Sequence, residues 1–193
     1  MKISVRNLSL PLSKPFTIAR TTFETARLVA VRTECDGVVG TGHGIPQPRF
    51  DDTLETSIRT LETTTPSIED CDQLQILLPP GSARNALDMA LWDLKAKRAG
   101  IPAWKLADLG EPQPIHTAVT VSLGDADHAF DEAHRNRRHA LIKVKLGRPD
   151  DAERLKAVRE AALSSRLITD ANEAWDLLRG FGRWPPMPCR LPG

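Results

Sequence analysis

Between Ile115 and Asp170 the chain alternates strand and helix signals at a spacing that few folds accommodate. Ile115 to Leu123 (IHTAVTVSL) predicts a strand, Ala126 to Arg138 a polar helix, and Ala140 to Leu146 (ALIKVKL) a second strand. Asp150 to Ser164 predicts a helix with Ala152, Leu155, Val158 and Ala162 facing inward, and Arg166 to Asp170 (RLITD) a third strand. Strand–helix–strand–helix–strand in this order is a βαβαβ unit, which implies a parallel sheet with right-handed crossovers.

The preceding 110 or so residues follow another grammar. Lys2 to Leu10 alternates, with Ile3, Val5 and Leu8 as apolar anchors, and Arg27 to Thr33 alternates again before Asp36-Gly37, a tight-turn dipeptide. Lys14 to Thr25 reads as a polar loop carrying Phe16, Arg20 and Phe23, and Val38 to Thr41 as a third strand. The glycines of Gly40-Thr-Gly-His-Gly44 are spaced GxGxG and lead into Pro46 rather than a helix, which disfavours a dinucleotide site and predicts a sharp chain reversal. His43 among them reads as a structural histidine. Thr53 to Thr63 predicts a weakly amphipathic helix, and Ser82 to Ala99 a strong one capped by Ser82 and ended by Gly100 and Pro102. The alanines of this second helix predict close packing against another element.

Composition narrows the function classes. Lys and Arg number 26 against 25 Asp and Glu, for a net charge of +1, so no basic field calls for nucleic acid. The arginines at 135, 137 and 138 read as a solvated helix face. No apolar run suits a membrane span, and MKISVRNLSLPLS lacks a signal-peptide core, so a cytoplasmic location is expected. Three distant cysteines, Cys35, Cys71 and Cys189, argue against a disulfide framework or a structural zinc site.

Two positions stand out chemically. Lys143 and Lys145 project to one face of a strand while Ile142, Val144 and Leu146 project to the other. Strands in βαβ units are normally covered on both faces, so two lysines on a covered face need a reason, which the interior of a barrel mouth supplies. A desolvated lysine beside other cations is suited to general-base work. Asp170 ends the third strand with Asn172 after it; such a pair serves either as a helix cap or as an oxygen ligand for Mg²⁺. A cationic base beside a carboxylate-bound metal suggests abstraction of a proton α to a carboxylate, with the metal stabilising the enediolate.

With these residues in hand, the chain resembles the enolase superfamily, in the muconate lactonizing enzyme subgroup and most of all its dipeptide epimerases of L-Ala-D/L-Glu type. ARNALDMALWDLKAKRAGIPAWKL (Ala83 to Leu106) is similar to the subgroup's alanine-rich helix, and TAVTVSL (Thr117 to Leu123) to its first barrel strand. IKVKLG (Ile142 to Gly147) is similar to its lysine motif and ITDANEAW (Ile168 to Trp175) to its aspartate motif. With PFTIARTTFE and GTGHGIPQPRF, the likeness runs from residue 1 to about 178. It implies an α+β capping domain, residues 1–112, followed by the first three βα units of a TIM (β/α)₈ barrel, residues 113–180. It also implies roles. Lys145 would be one of two lysines facing each other across the substrate α-carbon, and Lys143 its electrostatic partner near the substrate carboxylate. Asp170 would be the first of three carboxylate ligands to Mg²⁺, with Asn172 nearby. Thr120 would line the substrate pocket, and Arg20 would belong to the lid that reads the distal side chain of a dipeptide. His43 stands where the family often has glutamate.

The same resemblance sets what the chain lacks. No lysine follows Lys156, and Glu173 and Asp176 are the only acids after Asp170, too near it to come from separate later strands. A complete barrel takes roughly 250 residues. The expectation is therefore a C-terminally truncated chain whose Mg²⁺ site is incomplete and whose proline-rich tail, residues 181–193, is unrelated to the family. A frameshift or premature stop would account for both features. An open barrel edge would favour homo-oligomers or aggregation. The readings left open are a Mg²⁺-dependent dipeptide epimerase by descent with little activity of its own, a muconate cycloisomerase or o-succinylbenzoate synthase of the same subgroup, and a non-catalytic interaction module.

Overall fold

A computed structural model describes residues 1–19, 21–65 and 71–174 of the chain. The elements run β1 (Lys2–Ile18), β2 (Thr21–Cys35), β3 (Val38–Gly44), a 3₁₀ turn (Pro48–Phe50), α1 (Leu54–Thr64), α2 (Cys71–Leu77), α3 (Ser82–Ala99) and α4 (Ala103–Leu106). They continue with β4 (Val119–Val121), α5 (Ala126–Arg135), β5 (Leu141–Lys145), α6 (Asp151–Ala161) and β6 (Arg166–Asp170). The chain divides into two compact units: Met1–Leu12 with Thr25–Gln113, and Ser13–Glu24 with the chain from Pro114 onward. Among the described residues no helix is long and apolar enough to cross a membrane.

The first unit is a sheet of order β1-β2-β3 with helices packed on it. β2 and β3 pair antiparallel from Cys35↔Val38 to Val29↔Gly44. Asp36 and Gly37 turn the chain between them at φ 51° and 78°, left-handed values that Asp tolerates and Gly favours. Val29 and Val31 meet Leu61, Leu74, Ala86, Leu87, Ala90 and Leu91 in one buried core.

The GxGxG stretch does not reverse the chain. It is β3 itself, and its glycines face α3. A Cβ on Gly40, Gly42 or Gly44 would stand 2.2, 2.0 or 2.1 Å from the carbonyl oxygens of Ala90, Ala86 and Ser82. The strand period of two is thus matched to a helix row spaced by four, and the alanines of α3 complete the close approach. The strand's other face carries Thr41 and His43, both exposed, so His43 is a surface residue rather than a structural one.

Two further expectations are corrected. Ser82 does not cap α3 but begins it. Asp52, thirty residues upstream, takes the cap role: its Oδ2 accepts from the Ser82 N–H at 2.9 Å, and its Oδ1 from the hydroxyls of Ser82 and Ser57. Residues 14–25 are not a loop, because β1 and β2 run on through them to a short tip. Local polarity suggested a loop; cross-strand pairing overrides it, and Thr-rich sequence suits a strand well.

The second unit is a parallel sheet of order β4-β5-β6. Val121, Ile142, Val144 and Leu146 pack with Ala129 and Ala133 of α5 and with Leu155, Val158 and Ala161 of α6, all buried. β4 is shorter than its sequence suggests, and Ala152 is exposed. The buried stripe of α6 instead continues through Asp151 and Arg154.

Candidate active site

Parallel pairing sets the site. β4 and β5 are in register with Thr120 opposite Lys143, and β5 and β6 with Lys145 opposite Asp170. Residues opposite one another share a face, so Thr120, Lys143, Lys145 and Asp170 lie on the side away from the buried valines.

There the two lysines converge on one carboxylate. Lys143 Nζ lies 2.7 Å and Lys145 Nζ 2.9 Å from Asp170 Oδ2. The Lys145 side chain is nearly buried, at 8 % exposure, and that of Lys143 is 34 % exposed. Lys145 also donates to Asn172 Oδ1 at 2.8 Å. Asp170 Oδ1 accepts from the Asn172 N–H at 2.9 Å, closing a turn in which Asn172 takes φ 47°. The hydrogen bonds from Lys143 and Lys145 hold the Asp170 carboxyl well below the usual carboxylate range, against the opposing effect of burial.

The hairpin tip, residues 13–24, belongs to the same unit. Lys145 Nζ stands over the Phe16 ring, 5.6 Å from its centroid, a cation–π contact. The Leu123 N–H donates to the Thr17 carbonyl at 3.1 Å. Gly147 accommodates the tip closely, since a Cβ there would be 2.8 Å from Ala19 Cβ and 2.7 Å from Ala174 Cβ. Lys14 pairs with the buried Glu132 of α5, whose other oxygen accepts from the Ser122 N–H at 3.0 Å.

The structure therefore brings together Lys143, Lys145, Asp170 and Asn172, with Thr120 beside Lys143 in register. Arg20 lies outside the described residues, as do Trp175 and the tail, residues 181–193. Sequence reasoning assigned no role to Phe16, Glu132, Asp151 or Arg154. The signal for the last three was available: each occupies a helix position on the same stripe as buried alanines or leucines, where a charge is unexpected.

The carboxylate of Asp170 and the amide oxygen of Asn172 are hard oxygen donors of the type Mg²⁺ takes. They suit that ion in kind. Among the described residues no three His, Cys, Asp or Glu side chains come together to hold a metal, so this stretch offers part of a site.

Residues 2–110 match the N-terminal domain of the mandelate racemase/muconate lactonizing enzyme family. The chain belongs to that family. An L-Ala-D/L-Glu epimerase of Escherichia coli K12 is 38 % identical over 170 residues, covering 86 % of this chain and 53 % of that protein. The structure of an enolase family member from Agrobacterium tumefaciens, with homology to dipeptide epimerases and with bound sodium and L-Ala-L-Glu, superposes with a TM-score of 0.85 at 36 % identity. It covers 90 % of this chain and 54 % of that one. A dipeptide epimerase of Enterococcus faecalis complexed with Mg and L-Leu-L-Tyr matches at a TM-score of 0.80 and 28 % identity, covering 90 % and 53 %. The chain thus spans about half the length of the relatives it matches. In the terms of this family, the first unit is the α+β capping domain of the enolase superfamily and β4 to β6 are the opening strands of its barrel.

Proposed function

We propose that this chain carries the first part of a dipeptide epimerase site, one that moves a proton at a carbon α to a carboxylate in an L-Ala-L-Glu-like substrate. The observation that supports this most is the convergence of Lys143 and Lys145 on Asp170 at the C-terminal end of a parallel sheet. Lys145, nearly buried and held by Asp170 and Asn172, is the group that takes or returns the α-proton on one face. Lys143, more exposed, offers its charge to the substrate carboxylate. Thr120 lines the pocket beside it, and the hairpin tip with Arg20 reads the distal side chain. Residues 1–112 serve as the capping domain and 113–180 as the opening of the barrel.

Asp170, with Asn172 near it, would hold Mg²⁺, which when bound supplies Lewis-acid stabilisation of charge on the substrate carboxylate. Lys143 and Lys145, which share the Asp170 carboxylate, are the groups that would face substrate beside that ion. Inversion at carbon needs an acid–base group on each face, and this chain provides Lys145 for one of them; full epimerisation by it alone is therefore expected to be weak or absent.

The test is α-deuterium incorporation into L-Ala-L-Glu in D₂O with Mg²⁺. Incorporation that is lost in Lys145→Ala supports the reading. Incorporation that survives Lys145→Ala sinks it. A wild-type chain without incorporation would place the activity beyond what these residues do alone, and a longer chain carrying the remaining barrel strands would then have to restore it.

A further inference from the structure

The most deeply buried charge among the described residues is Arg154 on α6, whose side chain is 0 % exposed. Burying a guanidinium is costly, and an apolar residue would pack this stripe without that cost. Its contacts show what it does instead. One terminal nitrogen donates to the Lys145 carbonyl at 2.8 Å and to Asp151 Oδ1 at 3.0 Å, and the other to the Ser122 carbonyl at 3.2 Å. Its Nε has no partner among the described residues, so those acceptors, rather than full satisfaction of the side chain, define its placement. Asp151 in turn accepts from the Gly147 N–H at 2.7 Å.

Both carbonyls lie at the C-terminal strand ends, Lys145 closing β5 and Ser122 following β4. Each shares a peptide plane with an amide that reaches onward. The plane 145–146 sends the Leu146 N–H to the Asp170 carbonyl at 2.9 Å, and the plane 122–123 sends the Leu123 N–H to Thr17 of the hairpin tip at 3.1 Å. A peptide plane is rigid, so fixing its carbonyl fixes its amide and the adjoining Cα atoms. The planar fork of arginine holds two such planes at once in fixed geometry, whereas the single rotatable ammonium of lysine fixes neither direction.

We infer that Arg154 is a positioning residue: by gripping the peptide planes that follow Lys145 and Ser122, it fixes the backbone from which Lys145 projects and to which the hairpin tip is tied. Its importance to catalysis rests on the acid–base reading of Lys145, whereas its grip on the backbone does not. Its hydrogen bonds go to the two carbonyls and to Asp151, and none of these partners is a candidate side chain on the lysine face.

Amide hydrogen exchange of the full chain, without substrate or metal, tests the grip. In Arg154→Met the Leu123 and Leu146 amides should exchange about tenfold faster, the loss expected for a hydrogen bond to a charged group, while Ile142 and Val144 stay within about twofold. Acylation of Lys145 by acetic anhydride, referenced to the exposed Lys156, should rise in parallel. Arg154→Lys should show a smaller rise at the same amides, and it carries the test if Arg154→Met does not fold. Uniformly faster exchange across the sheet, or unchanged Leu123 and Leu146 in either folded variant, would overturn the inference. Deuterium incorporation that survives Lys145→Ala, with these amide changes present, would count against the acid–base reading and not against the grip.

Discussion

Lys145 and Asp170 are register partners on adjacent parallel strands, and their side chains meet at 2.9 Å. Asp170→Asn removes the carboxylate that two ammonium groups share, and one of these, Lys145, is nearly buried. Loss of charge-assisted hydrogen bonds at a partly exposed site should cost about 1–2 kcal/mol. Chemical denaturation measures this. Titration calorimetry with Mg²⁺ should show binding to the wild type that Asp170→Asn loses; equal binding by both would remove Asp170 from the metal site.

Gly42 allows β3 to lie against α3, and a Cβ there would stand 2.0 Å from the Ala86 carbonyl oxygen and 2.6 Å from the Ala90 nitrogen. Neither backbone atom can yield without moving the helix. Gly42→Ala should therefore destabilise the first unit by about 3 kcal/mol, the upper range for overpacking. His43→Ala, one residue away on the exposed face, should stay within about 0.5 kcal/mol. Urea midpoints of the two variants decide the matter, and equal midpoints would contradict the packing argument.

Asp52 ties the start of α3 to Ser57 and Ser82. Burial raises its pKa, but the hydrogen bonds from Ser57 and Ser82 outweigh that, so the folded value lies below the ordinary one. The sign follows: its contribution is present above the unfolded carboxylate value near about 3.9 and is lost as pH falls through the folded value. Asp52→Asn removes the charged acceptor of three hydrogen bonds, so it should lower stability at pH 7 by about 1 kcal/mol and flatten the fall in thermal midpoint between neutral and acid pH. An unchanged acid slope would show that Asp52 contributes nothing to it.

Glu132 is buried and joins two elements of the second unit, Lys14 in the hairpin tip and the Ser122 amide after β4. Burial raises its pKa, but hydrogen bonds from Lys14 and Ser122 and the nearby charges of Lys14 and His128 outweigh that and hold it below the ordinary value, so this contribution too is lost on acidification. Glu132→Ala orphans a buried N–H and should cost about 1–3 kcal/mol, more than Lys14→Ala, whose side chain is more than half exposed. Both should speed amide exchange in residues 13–24. Protection of the tip in Glu132→Ala equal to wild type would show that other contacts hold it.

How far the sequence reaches is visible in particular residues. Alternation and turn chemistry placed α3 and the middle of β1 to β3, because Asp36-Gly37 and Gly100 act locally, but β1 and β2 run on through residues that read as a loop. The strand–helix rhythm after Ile115 likewise specified a parallel sheet, and with it the shared face of Lys143 and Lys145. The glycines of β3 read locally as a turn, yet they answer to a helix some forty residues along the chain. Helix α2 was missed: Cys71–Leu77 is short and buries little of its own surface.

The candidate site divides along the same line. Sequence alone determined that two lysines share a strand face and that an aspartate ends the next strand, because the period of two is a property of the covalent chain. Only tertiary structure decided that both lysines meet that aspartate, that Phe16 from the hairpin tip lies beneath Lys145, and that Arg154 braces the strand ends from behind. Those relationships depend on strand register and on which side chains reach the strand-end carbonyls, and both are set by packing between elements distant in the chain.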